Sequence, residues 1–84
     1  MVAGGTVPGE FYRNVYPLIV NRTMYNGLKS VGASRMILTR SAFAGAQKYG
    51  VATWSGDVGN DWETFRRQIA AGLSQMACGL PWWT

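Results

Sequence analysis

Two short apolar runs, residues 36–39 and 51–54, constrain the fold more than any other feature of this sequence. Runs that are apolar at successive positions are typical of strands in a parallel sheet, because both faces of such a sheet are covered. Arg40 follows the first run, and the second runs directly into Trp54-Ser55-Gly56-Asp57. Since the carboxyl ends of parallel strands meet at one edge of the sheet, the pattern predicts a polar-ligand site there.

The segments around the two runs predict helices and a further strand. Apolar positions recur at helical spacing from Glu10 to about Val31, and Pro17 predicts a kink or a helix that restarts with proline in its first turn. Residues 41–50 read as a loop with at most a helical turn. Asn60 and Glu63 have the spacing of a capping box before a second helix. Its apolar stripe comprises Trp62, Phe65, Ile69, Leu73 and Met76.

The predicted order is therefore helix, strand, loop, strand, helix, strand, the last strand covering residues 80–84. This alternation is typical of α/β architecture with parallel strands. We expect residues 1–9, which are rich in glycine, to form a flexible N-terminal segment, and residues 10–84 to form one structural unit.

The composition suits a segment from the interior of a larger domain. Only 14% of the residues are charged, against roughly 25% in an ordinary globular protein. Hydrophobic residues make up 48%, although a chain this short buries only about 60% of its surface. Because exposed apolar surface usually finds a partner, we expect self-association into a homo-oligomer.

Several classes of function are excluded by what the sequence lacks. It has no histidine, which removes Ser-His-Asp catalysis and most zinc chemistry. Ser41 and Ser55 lack the glycine-flanked turn of a serine esterase. The cations are scattered, which argues against nucleic acid as a partner, and no apolar stretch could span a bilayer. The N-terminus does not resemble a signal peptide, so the default expectation is a cytoplasmic protein.

Four residues at the predicted strand ends are candidates for function. Asp57 reads either as an ordinary turn aspartate or as a general acid at the carboxyl end of a barrel strand. Arg40 reads as a surface cation or as a group whose planar fork of donors binds sugar hydroxyls or steadies a carboxylate. Trp54 and Trp82, like the neighbouring Trp83, suit either core packing or the apolar face of a pyranose ring.

Three segments carry a resemblance to a known family. RSAFAGAQKYG at residues 40–50, TWSGD at 53–57 and GLPWWT at 79–84 closely resemble the catalytic barrel of glycoside hydrolase family 31, which contains α-glucosidases and α-xylosidases. The resemblance runs from about Glu10 to Thr84. It implies a (β/α)8 barrel, of which this chain is about a quarter. We expect this partial TIM barrel to be completed by oligomerisation.

The resemblance also implies roles for the candidate residues. Asp57 matches the general acid/base, Arg40 and Trp54 match residues of the −1 sugar subsite, and Trp82 matches an aromatic on the following strand. Family members need no metal or organic cofactor. The nucleophilic aspartate lies on an earlier strand of the family barrel and has no counterpart here. Since retaining hydrolysis needs two carboxyl groups about 5–5.5 Å apart, Asp57 alone does not supply the pair.

Two functions of different class follow. The first is a fragment of an α-glycosidase acting on α-linked glucosides or xylosides, which carries the acid/base and part of the sugar subsite. The alternative is a non-catalytic, self-associating structural module or a weak carbohydrate-binding module. Hydrolysis of an α-glycoside, or sugar binding without hydrolysis, discriminates between them.

Overall fold

The computed structural model describes Gly5 and residues 7–84 of the chain. The predicted flexible segment 1–9 lies mostly outside the described residues. A 3₁₀ helix at Gly9–Phe11 is followed by helix α1 (Tyr16–Ser30), strand β1 (Ile37–Thr39) and a second 3₁₀ helix (Ala46–Tyr49). Strand β2 (Val51–Thr53) and helix α2 (Trp62–Ala77) complete the regular elements. From α1 to α2, this is the predicted order of helices and strands.

Helix α1 restarts with Pro17 in its first turn, which is one of the two arrangements that the sequence predicts. Tyr16 is the first helical residue and Pro17 the second, where the missing N–H of proline removes no intrahelical hydrogen bond. The preceding 3₁₀ helix ends at Phe11, so a single helix from Glu10 does not form. Gly32 follows the helix at a φ of 70°, a left-handed conformation that glycine adopts without steric cost.

The sheet is parallel, as predicted. Strand β1 pairs with β2 in a register that joins Ile37 to Val51 and Thr39 to Thr53. The C-terminal segment 80–84 adds a bridge between Thr53 and Trp83. Its backbone hydrogen bonds include Thr53 N–H to the Trp82 carbonyl at 2.8 Å and Thr84 N–H to the Thr53 carbonyl at 2.9 Å. The predicted third strand is thus present as a single bridge rather than a full strand.

The N-cap of α2 is Asp61, so the predicted capping box of Asn60 and Glu63 is wrong. The Asp61 carboxylate accepts hydrogen bonds from the backbone N–H and the hydroxyl of Thr64, both at 2.8 Å. Glu63 instead pairs with Arg66 and Arg67 at 2.9 and 3.0 Å. Asn and Asp stabilise helix N-termini about equally well as caps. In this chain it is the Asp61 side chain that accepts hydrogen bonds from Thr64.

The core is small and lies between the sheet, α1 and the second 3₁₀ helix. Ala46, Val51 and Leu80 are buried together, and Leu18 and Ile37 pack against them. Val51, Ala52 and Thr53 are all buried, which makes β2 the most enclosed strand among the described residues. Ala46 is completely buried, in keeping with a loop that packs tightly onto the helix and sheet.

One side chain joins the loop after β1 to the end of α2. The Gln47 amide donates from Nε2 to the Cys78 carbonyl and accepts at Oε1 from the Gly45 N–H, both at 2.8 Å. Helix α2 in turn contacts the C-terminal segment through Gly72, where an added Cβ would lie 2.7 Å from Cδ1 of Trp83. These contacts fix the loop, α2 and the segment 80–84 relative to one another.

Large apolar side chains remain exposed on two surfaces. The predicted stripe of α2 does not pack against the sheet, since Trp62 is 85% and Leu73 64% exposed. Met36, Leu38 and Trp82 are exposed as well. The chain has 6209 Å² of accessible surface, whereas a folded protein of its mass exposes about 4,900 Å². Neither α1 nor α2 is long and apolar enough to cross a membrane.

Candidate active site

The carboxyl ends of the strands bring Arg40 and Trp54 to one edge of the sheet. Each of these residues directly follows one member of the aligned pair Thr39 and Thr53. The Trp54 N–H donates to the Thr39 carbonyl at 2.9 Å, and the Ser55 N–H donates to the Thr84 carbonyl at 2.8 Å. The parallel ladder therefore continues past the strands and anchors the start of the Ser55-Gly56-Asp57 turn.

Arg40 lies over this turn. Gly56 is buried at a φ of 91°, and the three heavy atoms nearest to the position of its absent Cβ all belong to the Arg40 guanidinium, at 2.9–3.2 Å. The Arg40 side chain forms no hydrogen bond or ion pair with residues 7–84. Its donors are therefore available to a ligand, while its planar group rests on the backbone next to Asp57.

Asp57 is exposed at the end of the turn. Its carboxylate forms no hydrogen bond and no ion pair within the part of the chain that the structure describes. The residue is adjacent to the glycine on which Arg40 rests, so a cation and a carboxylate lie at the same sheet edge without neutralising each other in an ion pair. Such an edge suits a ligand that both accepts and donates hydrogen bonds.

A cavity of about 660 Å³ opens beside this edge. Its lining includes Arg40, Trp54, Thr53 and Trp83, together with the loop residues 41–44. Gln75 and Cys78 of the α2 end close another side. The wall thus combines two indoles with a guanidinium and an amide, a mixture of apolar and hydrogen-bonding groups that is typical of small-molecule sites.

Trp82 lies elsewhere. It lines a second cavity of about 270 Å³ with Arg35, Met36, Gly50 and Ala52, near the residues that begin β1 and β2. Because side chains alternate along a strand, consecutive tryptophans in the segment 80–84 face opposite sides of the sheet. The structure therefore brings together Arg40, Trp54 and Trp83, and it separates Trp82 from them.

The other acids near Asp57 are engaged in helix α2. A hydrogen bond from the Thr64 backbone N–H is the main cause that lowers the pKa of Asp61, and one from Arg66 is the main cause that lowers the pKa of Glu63. Both carboxylates therefore have their hydrogen-bond partners within α2. Within residues 7–84, no three potential metal ligands cluster.

Two contributions to this region were not identified from the sequence. The contact of Gly56 with Arg40 depends on the register of β1 against β2, and the sequence marks Gly56 only as a turn glycine. Gln47 links two loops that are far apart along the chain. The one sequence signal for this link is that a glutamine stands within a segment rich in small residues.

The comparisons with known proteins identify the family. The glycosyl hydrolases family 31 TIM-barrel domain matches residues 3–84, which is nearly the whole chain. This chain therefore belongs to glycoside hydrolase family 31, and the resemblance inferred from its sequence motifs is confirmed. No solved structure matches it significantly.

Several curated relatives are named as glycosidases. The chain is 48% identical over 77 residues to an alpha-xylosidase of Saccharolobus solfataricus, covering 90% of this chain and 10% of that protein. It is 44% identical to an uncharacterized family 31 glucosidase of Pseudescherichia vulneris, covering 84% and 14%. It is 33% identical to a 1,3-alpha-isomaltosidase of Kribbella flavida, covering 89% and 10%. The chain thus spans about a tenth of the length of these relatives.

Proposed function

We propose that this chain is the segment of an α-glycosidase barrel that carries the general acid/base, Asp57, and part of the −1 sugar subsite. The substrate is an α-linked xyloside or glucoside. The observation that carries the proposal is the placement of Arg40 beside the Asp57 turn, at the carboxyl end of parallel strands, in a chain that belongs to family 31.

The chemistry of the edge supports these roles. A general acid must reach the glycosidic oxygen, and the Asp57 carboxylate is exposed and unpaired within the described residues. The guanidinium of Arg40 offers several donors in a fixed plane, which suits vicinal sugar hydroxyls. Trp54 supplies an apolar ring at the same edge for the face of a pyranose. Trp82 lines a different cavity in this chain. In our proposal, it contributes to the sugar site only when further strands of a barrel pack beside it.

The nucleophile is supplied from outside this chain. Asp61 and Glu63 are committed to hydrogen bonds in α2, and no other acid lies near Asp57 in the sequence. Double-displacement hydrolysis needs a second carboxylate about 5–5.5 Å away. We therefore propose that hydrolysis requires the missing part of a barrel, and that copies of this chain associate through their exposed apolar surfaces.

The test of the acid role uses leaving groups of different basicity. Protonation by an acid matters most when the departing oxygen is strongly basic, and it matters little for an activated phenol. In any preparation that hydrolyses α-xylosides, Asp57→Asn should abolish turnover of an alkyl α-xyloside and retain a larger fraction on a dinitrophenyl α-xyloside. Initial rates on the two substrates, compared with wild type, measure this difference.

Asp61→Asn is the matched control for that experiment. It removes a nearby negative charge but keeps an oxygen that can cap α2, so both substrates should be turned over at similar relative rates. An Asp57→Asn variant that hydrolyses both substrates as fast as wild type would remove Asp57 from the mechanism.

Sugar binding without turnover is the alternative for the isolated chain, because the two acids that follow Asp57 along the chain, Asp61 and Glu63, are hydrogen-bonded within α2. Isothermal titration calorimetry with methyl α-xyloside distinguishes a carbohydrate-binding segment from a purely structural module. Heat of binding that disappears in Arg40→Ala supports a carbohydrate-binding segment. No binding and no hydrolysis by the wild-type chain would indicate a purely structural module.

A further inference from the structure

We propose that Gly56 is a positioning residue whose missing side chain makes room for the guanidinium of Arg40 and so holds that cation beside Asp57. The inference rests on the proposed function in taking Arg40 as a sugar-binding group. It goes beyond that function in assigning a role to a residue that offers no functional group of its own.

The space around Gly56 carries the inference. An added Cβ would lie 2.9 Å from Nε, 3.1 Å from Cζ and 3.2 Å from Nη2 of Arg40. Carbon atoms in contact prefer separations of about 3.5–4.0 Å, so any side chain at this position must displace the guanidinium. Gly56 is buried although Asp57, the next residue, is exposed. The guanidinium is the group in closest contact with that position.

Gly45 and Gly32 do not share this relation, and at Gly50 an added Cβ would meet the backbone carbonyl of Arg35 instead of a side chain. Gly45, at a φ of 98°, would place a Cβ 3.7 Å from Leu18, which is an ordinary contact, and Gly32, at 70°, would meet nothing within 4 Å. Both therefore need glycine for their backbone conformation alone. At Gly56 the backbone requirement is joined by a steric one, and the neighbour is a proposed ligand-binding residue.

Arg40 has no other fixed position among the described residues. Its guanidinium forms no hydrogen bond or ion pair with residues 7–84, so packing on the turn is the contact that restrains it. A long side chain loses rotamer freedom when it is held in one geometry. Holding Arg40 in place before the sugar arrives lowers that cost at the moment of binding.

The test compares Gly56→Ala with Gly32→Ala, which imposes the same kind of backbone strain without touching Arg40. In ¹⁵N-labelled chain, the Nε–H signal of Arg40 is assigned by its absence in Arg40→Lys. We expect Gly56→Ala to shift this signal and Gly32→Ala to leave it in place. An unmoved Arg40 signal in folded Gly56→Ala overturns the proposal.

Thermal unfolding keeps the comparison interpretable. The clash involves the far end of a flexible side chain, which moves aside at little cost, so Gly56→Ala should lower the melting temperature about as much as Gly32→Ala. A Gly56→Ala chain that fails to fold while Gly32→Ala folds would mean that the glycine serves the backbone, and the proposal is then wrong.

Sugar affinity completes the test. Calorimetry with methyl α-xyloside should show Gly56→Ala weakened at least about tenfold, as expected for the loss of a charge-assisted hydrogen-bonded group, and Gly32→Ala unchanged. Wild-type affinity in a Gly56→Ala chain whose Arg40 signal has moved contradicts the positioning role. If the wild-type chain binds no sugar, the proposed function fails, and the signal of Arg40 alone decides the steric inference.

Discussion

The carboxylate of Asp61 is committed to the first turn of α2, where it accepts two hydrogen bonds from Thr64. Helix N-termini leave several N–H groups without intrahelical partners, and a capping side chain satisfies one of them. We expect Asp61→Ala to lower the melting temperature, as followed by circular dichroism. Asn60→Ala is the control, since Asn60 lies one residue outside the cap. An equal loss in both variants would contradict the assignment.

Acid should weaken the fold through the same residues. Hydrogen bonds formed in the folded chain lower the pKa of both Asp61 and Glu63. Their folded values therefore lie below the unfolded ones, so their contribution is complete above about pH 4.5 and is lost as the pH falls through the lowered values. Urea unfolding between about pH 6 and pH 3 should show stability falling with acid, with a shallower fall in Asp61→Asn. If stability falls equally steeply with acid in Asp61→Asn and in wild type, Asp61 does not contribute to the acid sensitivity.

At the scale of elements, Gly72 decides how closely α2 approaches the C-terminal segment. An alanine there would gain helix propensity but would force its Cβ to 2.7 Å from the Trp83 ring. Overpacking of this kind costs about 1–3 kcal/mol, so Gly72→Ala should lower the free energy of unfolding in urea. Gly27→Ala in α1 meets open space and should raise it by about 0.5–1 kcal/mol. Similar gains in both variants would refute the close contact with Trp83.

The regular elements were largely predictable because their signals are local. Pro17 marked the start of α1, and both strands appear within one residue of the predicted apolar runs. The cap of α2 was misplaced by one residue, since Asn60 and Asp61 have similar capping tendencies. The segment 80–84 was predicted as a strand, but it forms only one bridge, with Thr53 of β2.

The candidate site was predictable in part for a similar reason. The order of strands places Arg40 and Trp54 at one edge, which the sequence indicated through the residues that end each run. Which of two consecutive tryptophans faces the cavity depends on the register of segment 80–84 against β2, and no local pattern reports that register. The roles proposed for Asp57, Arg40, Trp54 and Trp82 remain predictions for the experiments above.

At the scale of the whole molecule, the exposed apolar stripe of α2 is the surface through which we expect copies of the chain to associate. Its five apolar side chains are all at least half exposed, and a typical specific interface buries about 800 Å² on each partner. We expect the chain to sediment as a dimer or larger species at micromolar concentration. Leu73→Glu should shift it toward monomer without lowering its stability, because Leu73 makes little buried contact.

Val31→Glu is the control for self-association, since Val31 is 76% exposed but lies at the end of α1, outside the stripe. It should leave the sedimentation coefficient unchanged. A wild-type chain that sediments as a monomer across the concentration range would contradict the proposed association. Monomerisation by Val31→Glu as well would indicate general charge repulsion instead of a defined surface.

The side chain of Gln47 has a consequence for how this piece of barrel could be moved between proteins. Its amide oxygen accepts from the Gly45 N–H and its amide nitrogen donates to the Cys78 carbonyl, so it joins two separate loops. A glutamate at this position would lack the donor. Gln47 therefore holds the segments that present Arg40 and Trp83 in one fixed arrangement, and they should be transferred together. A graft that keeps this glutamine should carry its geometry along, whereas one that cuts between the loops should not.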